Sequence, residues 1–564
     1  MLSTLHLPLT FPNLMVLLGG LWFATRLILY VVQKPLKFLR GPAPTSLLCG
    51  YEYDLFQQEN VGDKEYKWYE EYGTAFRVSG VYAEDVLMTA DPRALQYILQ
   101  TSGKLSCHMA IRYRFLRPVD FQRRICRLFD KGEIHQRQRK VLNPAFSAQQ
   151  LRQFLTMFQE SALHLSRKWK EDMAQDGLTG KKFNIPFWLG KMTLDIIGKT
   201  SFDFDFGAID NKEGIPLRVL FSEIFKDSIK PTKLTILQRS LERYSPALFN
   251  MFPIKENVRH HTFLTELRRI ARNVYERKEW AEEEDVRDKK DILSVLARAN
   301  HTEDTKRRLN DSEVIAQVAT MISAGQETIS FSTTYLLYEL SQHSEDQARV
   351  HHEISDLRAK IGPDSVPTSQ DYDSMPYFNA VIKEALRLHS ILPQAHREAA
   401  NDDIIPLEFP IITASGEVVS QIPIKKGQRI HVSIGAYNRF FIWISLACVW
   451  GPDANKWNPS RFLGSDNRMS QTNIGVMSNL TTFSGGIRGC IGWRFALMEM
   501  QSILFTLLES FDFSFPVVPC KSNAGKMEDE YELQRLPAGL MVPVVKGKGA
   551  FGPSMPLNVE LRAA

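Results

Sequence analysis

Between Phe483 and Gly492 the chain reads Phe-Ser-Gly-Gly-Ile-Arg-Gly-Cys-Ile-Gly, one thiol and one guanidinium set among four glycines. Gly485, Gly486, Gly489 and Gly492 strip side chains from around Cys490, so the backbone can turn tightly and a flat group can lie against it. The run from Gly492 to Glu509 has amphipathic helical spacing, which sets Cys490 at the mouth of a helix N-terminus. Peptide N–H groups and nearby Arg488 favour the thiolate there, and the expectation is a depressed pKa and a sulfur suited to metal ligation. A lone cysteine is more often a small buried hydrophobe, and only the composition of its loop sets this one apart. The other five, Cys49, Cys107, Cys126, Cys448 and Cys520, show neither Cys-x-x-Cys spacing nor an even-spaced framework, which argues against structural zinc and a disulfide scaffold.

The loop fits the pattern Phe-x-x-Gly-x-Arg-x-Cys-x-Gly, and through it the chain resembles the cytochrome P-450 superfamily. The resemblance implies a haem b cofactor (iron protoporphyrin IX) with Cys490 as its iron ligand, the thiolate pushing electron density toward O–O cleavage. Further motifs follow in the superfamily's order. Ala324-Gly-Gln-Glu-Thr328 lies inside the apolar run from Asp311 to His343, which Asn310 can cap with Glu313 as reciprocal partner. A helix of that length is about 50 Å long and must cross a domain buried. Ala324 and Thr328, four apart, share one face, and Gly325 weakens the hydrogen-bond ladder between them. Small residues there leave room for a diatomic ligand. A threonine in mid-helix often only bonds its own i−4 carbonyl; the resemblance implies instead that Thr328 positions O2 and its water while Glu327 supplies protons.

Glu384-Ala-Leu-Arg387 sits in a run too apolar for a purely solvated helix face, and Trp457-Asn-Pro-Ser-Arg-Phe462 resembles the superfamily's Pro-Glu-Arg-Phe segment. A carboxylate between two guanidiniums can be satisfied while buried, so Glu384, Arg387 and Arg461 read as a structural lock and not as catalysts. The propionates of a haem need cations. Gly132-Glu-Ile-His135-Gln-Arg-Gln-Arg139 resembles the superfamily's Gly-x-x-Trp-x-x-x-Arg, with His135 and Arg139 on one helical face, although Arg137, Lys140 and Arg124 would also suit a merely basic, solvated helix. Arg488 and Arg397 complete the expected propionate contacts, and Phe483, Gly486, Ala324 and Gly325 join the cofactor-binding set.

The expected fold is mainly α: a large helical domain with a small β-sheet region, the latter near Gly73 to Thr89, Ile404 to Ile430 and Leu536 to Val545, behind an N-terminal transmembrane helix. Length alone would suggest several domains, but the motif order favours one. Residues 1–10 read as a tail, 11–33 as the anchor, 34–52 as a basic, proline-bearing hinge, 53–550 as the catalytic domain and 551–564 as a C-terminal tail. Phe11 to Val32 is long enough to span about 30 Å of hydrocarbon, with Arg26 able to snorkel. Lys34, Lys37 and Arg40 follow it and no lysine or arginine precedes it, which places the catalytic domain on the cytosolic side of the membrane, here the endoplasmic reticulum. Without a basic n-region, a cleaved signal peptide fits less well. The sequons at Asn300, Asn310 and Asn479 would then stay unmodified. A net charge of +5 gives nucleic-acid binding no support, and nothing resembles a flavin or nicotinamide site. Both electrons must therefore come from outside, and the resemblance implies a membrane-bound NADPH-cytochrome reductase, with O2 and a lipophilic small molecule as substrates.

Two segments depart from the superfamily's pattern. Phe440 to Val449 is an apolar insertion where a short polar link is usual, either a membrane-contacting patch or a wrongly retained coding segment, and Ser106 to Lys131 is dense in arginine where substrate should be gated. Three functions stay open: a monooxygenase, an isomerase or dehydratase acting on a peroxide, and a haem-binding protein without turnover. The Glu327-Thr328 pair favours the first.

Overall fold

The computed structural model describes Gly20 and residues 35–46, 48–101, 132–211, 216–244, 255–279, 291–300, 308–439, 449–464, 474–516, 520–521, 527–528 and 532–562. The expected anchor (Gly20 apart), the arginine-dense Ser106 to Lys131 segment and residues 440–448 of the insertion lie outside these. Among the described residues no helix is long and apolar enough to cross a membrane.

A helix from Asp311 to Gln342 forms the axis of the molecule. Its start is fixed by a capping box: the Asn310 side chain accepts from Glu313 N–H, and the Glu313 carboxylate accepts from Asn310 N–H at 2.9 Å. Most of its residues are buried, including Phe331, Tyr335 and Leu336. The Ile185–Phe202 helix packs along it closely enough for the Thr193 hydroxyl to donate to the Gln326 carbonyl at 3.0 Å. Gly325 permits this approach, since a Cβ there would stand 2.7 Å from Ile197 Cδ1. The helices Leu155–Gln175, Pro376–Leu388 and Trp493–Ser510 pack around this pair, with Phe495 edge-on to Phe158 at 4.9 Å.

The β structure is small and lies in part where the sequence suggested; the strands Gly180–Asn184, Gln394–Glu398, Phe511–Ser514 and Pro556–Leu561 fall outside the expected regions. Ala75–Ser79 and Asp85–Thr89 pair antiparallel, Asp85–Thr89 runs parallel to Arg429–Ser433, and Gln394–Glu398 closes the sheet. Asp403–Ile412 and Val418–Ile424 form a hairpin, as do Leu533–Ala538 and Leu540–Val545.

Two segments expected to lie outside the catalytic unit are stitched into it. In the hinge, Leu36 and Leu39 are buried, Arg77 N–H donates to the Arg40 carbonyl at 3.0 Å and Ala414 N–H to that of Phe38 at 2.8 Å. Gly41 touches the sheet so closely that a Cβ would overlap the Arg77 carbonyl oxygen. The stretch expected as a C-terminal tail contains the strand Pro556–Leu561, which pairs with Gly180–Asn184 on one side and Phe511–Ser514 on the other, the middle strand of its sheet. Val559 and Leu557 are fully buried. The alternation of apolar residues at Leu557, Val559 and Leu561 was the available sign.

Candidate active site

The lock is the most completely satisfied polar group near the cysteine loop. Glu384 and Arg387 are both wholly buried, Arg387 Nε donating to one carboxylate oxygen at 2.7 Å and Nη2 to the other at 2.8 Å. Arg461 Nε and Asn458 N–H donate to Glu384 Oε1 at 3.1 and 2.9 Å. Arg387 Nη1 donates at 2.6 Å to the carbonyls of both Asn438 and Ala454. Two buried ions are stabilised here because every oxygen and nearly every N–H finds a partner.

From the lock a chain of hydrogen bonds leads to the cysteine loop through Asn438, a residue that sequence reasoning passed over. Asn438 is fully buried; its Oδ1 accepts from Thr481 N–H and hydroxyl at 3.2 and 2.9 Å. Its amide donates to the hydroxyls of Ser390 and Thr482, each at 2.8 Å, and Thr482 donates to the Leu386 carbonyl at 2.7 Å. The Thr481-Thr482 pair immediately before Phe483 was the only signal in the sequence. The insertion leaves this frame intact: on its far side Trp450 Nε1 donates to the Tyr437 carbonyl at 3.0 Å, and Arg461 Nη1 donates to the Trp450 carbonyl.

Within the loop, Cys490 N–H donates to the Phe483 carbonyl at 2.8 Å, Gly489 N–H to that of Gly486 at 3.0 Å, and Gly486 adopts φ 63°. The glycines serve packing behind the loop. A Cβ at Gly485 would stand 2.2 Å from the Ile474 carbonyl oxygen, and one at Gly486 2.0 Å from that of Leu99. Cys490 itself is accessible, yet dense protein surrounds it at longer range, and that desolvation pushes its thiol above the usual value. Gly492 N–H and Arg139 pull in the opposite direction without prevailing. The expected depression of its pKa is therefore corrected: the helix start and the nearby cation are present, but burial outweighs them.

The Gly132–Leu142 helix brings His135 and Arg139 to this loop. His135 is lowered to about 4 by burial first, then by the charges of Arg488 and Arg139. Arg139 is half-buried and held below its ordinary value by burial, with Cys490 acting the other way. No carboxylate pairs with Arg139 among the described residues. A half-buried guanidinium without an ion-pair partner, beside a second guanidinium, a neutral imidazole and an accessible thiol, fits a group that carries both a thiolate-binding metal and carboxylates. Arg397 stands in the Gln394–Glu398 strand opposite Ile430, almost fully buried, its Nη1 donating to the His396 carbonyl at 3.1 Å.

On the central helix, Ala324 is exposed and Thr328 partly so, although the helix is otherwise largely buried. The Thr328 hydroxyl donates to the Ala324 carbonyl at 2.6 Å, the ordinary i−4 bond of a helical threonine. Glu327 is buried on the neighbouring face.

Residues 42–537 match the family profile described as Cytochrome P450. Cytochrome P450 monooxygenase 205 of Postia placenta is 29% identical over 98% of both chains. Cytochrome P450 monooxygenase claP of Ampulloclitocybe clavipes is 31% identical over 89% of this chain and 91% of its own, and claQ of the same fungus 31% identical over 93% and 92%. With its helical fold, its buried lock and its cysteine loop in the same order, the chain belongs to the cytochrome P450 family.

Proposed function

We propose that this chain, an oxidoreductase of the haem-thiolate monooxygenase class, inserts one atom of O2 into a lipophilic small molecule. Two electrons come from NADPH through a membrane-bound cytochrome reductase. The cofactor is haem b, which when bound supplies the iron that binds and activates O2. The observation that carries the reading is that an accessible Cys490 and a half-buried Arg139, which has no ion pair among the described residues, act on each other, while the central helix exposes Ala324 in an otherwise largely buried run.

Cys490 would hold the iron as a thiolate, with Gly492 N–H favouring the anion. Arg139, Arg488 and Arg397 would neutralise the propionates, while His135, uncharged near neutral pH, would contribute a hydrogen bond and no charge. Phe483, Gly486, Ala324 and Gly325 would border the ring. Thr328 keeps its lone pairs available even while its proton is committed to Ala324 O, so its oxygen can accept from a water and hold it on the reacting side. Glu327 would relay protons to that water. Residues 11–33 would anchor the chain in the endoplasmic reticulum membrane with the catalytic domain in the cytosol. The docking of Leu36 to Arg40 on the sheet near exposed Ile412 and Val418 supports this, because those apolar side chains would suit contact with a lipid surface.

The test is turnover of the full chain with NADPH and reductase in lipid vesicles under labelled O2. One labelled oxygen per product molecule, lost when reductase is omitted, is expected. Conversion of a hydroperoxide without NADPH, and no labelled product, would favour the isomerase or dehydratase chemistry.

A further inference from the structure

Arg137 lies between His135 and Arg139 in sequence but at roughly the opposite side of the same helix. Its guanidinium reaches the first turn of the central helix. Nη2 donates to Glu313 Oε1 at 2.5 Å, Nη1 donates to Glu313 Oε2 at 3.3 Å, and Nη1 also donates to the Arg308 carbonyl. Glu313 is itself almost completely buried, and the same Oε2 accepts from Asn310 N–H in the capping box. One carboxylate thus starts the helix that carries Ala324 and Thr328, and receives the helix that carries His135 and Arg139.

We propose that Arg137 is a positioning residue: its fork on Glu313 clamps the helix bearing His135 and Arg139 to the N-terminus of the central helix, and so fixes the anion-binding side of the cofactor site relative to Thr328. The inference rests on the family reading of that site. A bidentate guanidinium suits the task because it constrains both distance and orientation, whereas a lysine meets the carboxylate as a point charge. Losing Arg137 leaves the buried Glu313 carboxylate only partly compensated, and losing the Glu313 charge leaves the partly exposed guanidinium without its fork. The basic helix then loses its fixed distance from the central helix, and His135 and Arg139 lose their place around the group they hold.

The test compares full-length wild type, Arg137→Ala, Arg137→Lys, Glu313→Gln and the Arg137→Ala/Glu313→Gln pair. Glu313→Gln keeps an oxygen for the cap and removes the charge. The readouts are the rate of haem transfer to excess apomyoglobin and the ratio of red-shifted to unshifted carbon monoxide band, with the thermal midpoint alongside. Each single loss should speed haem transfer about tenfold, equivalent to about 1.4 kcal/mol, and raise the unshifted fraction. The pair should be no faster than the faster single, and Arg137→Lys should recover part of the loss. Transfer within twofold of wild type in both single variants, or strictly multiplicative effects in the pair, overturns the clamp. Should Arg137→Ala fail to fold, Arg137→Lys and Glu313→Gln decide by the same criteria. A wild type without the red-shifted band fails the family reading itself, whereas a normal wild type with indifferent variants fails only the clamp.

Discussion

At the scale of single residues, local environment redirects groups whose type alone suggested a role. Cys490 has the helix start and the cation that would favour a thiolate, yet burial leaves its thiol above its ordinary pKa, so bringing a metal to the sulfur also displaces a proton. Gly485 and Gly486 leave space for the backbone of Ile474 and Leu99, a requirement that cannot be read from a glycine count. Thr328 donates to Ala324 O and needs only its lone pairs for the proposed work. Thr328→Ala should therefore move the thermal midpoint little, within about 1 kcal/mol of stability, while the fraction of electron pairs recovered as product falls severalfold. Product formed per NADPH consumed measures this. Unchanged coupling would reduce Thr328 to a helix residue that bonds its own backbone.

At the scale of elements, the parts legible in the sequence were those whose cause is local. The capping box at Asn310 and Glu313 and the apolar run behind it put the central helix within one residue of its observed bounds. Glu384 and Arg387 lie three apart on a strongly amphipathic helix, and Arg461 reaches them as the motif suggested. Asn438 and Arg137 were illegible for a common reason: each acts through partners distant in sequence, Asn438 through Thr481 and Thr482, Arg137 through Glu313. An arginine on a polar helix looks solvated until its partner is placed. The lock yields a direct prediction. Arg387→Ala leaves the Glu384 carboxylate at zero exposure with Arg461 and Asn458 N–H on one oxygen and nothing donating to the other among the described residues, and should cost roughly 3–5 kcal/mol. It should also loosen Asn438, whose carbonyl Arg387 holds. The midpoint of urea unfolding measures the first effect and haem content the second; a variant as stable as wild type would mean that the ion pair contributes nothing net.

At the scale of the whole molecule, stability is linked to pH through carboxyls whose burial the fold compensates only in part. Glu65 is raised from 4.5 to about 7 by burial, and its Oε2 has no partner among the described residues. The folded state therefore binds this proton more tightly than the unfolded chain. Its contribution is fully present below pH 4.5 and is lost as pH rises through about 7. Glu65→Gln should remove that loss, leaving the variant more stable than wild type at pH 8 by up to roughly 3 kcal/mol but not at pH 4. Urea midpoints at the two pH values check the sign. The reach of the fold is likewise a long-range property: Pro556–Leu561 looked like a tail because nothing nearby in sequence pairs with it, yet Gly180–Asn184 and Phe511–Ser514 hold it between them. The central proposal is that Cys490 would be the ligand of a haem iron. The most direct measurement is the reduced carbon monoxide difference spectrum of wild type and Cys490→Ala. A strongly red-shifted Soret band in wild type that disappears in the variant is expected; an unshifted band in wild type, or a red-shifted band that survives in Cys490→Ala, would contradict it.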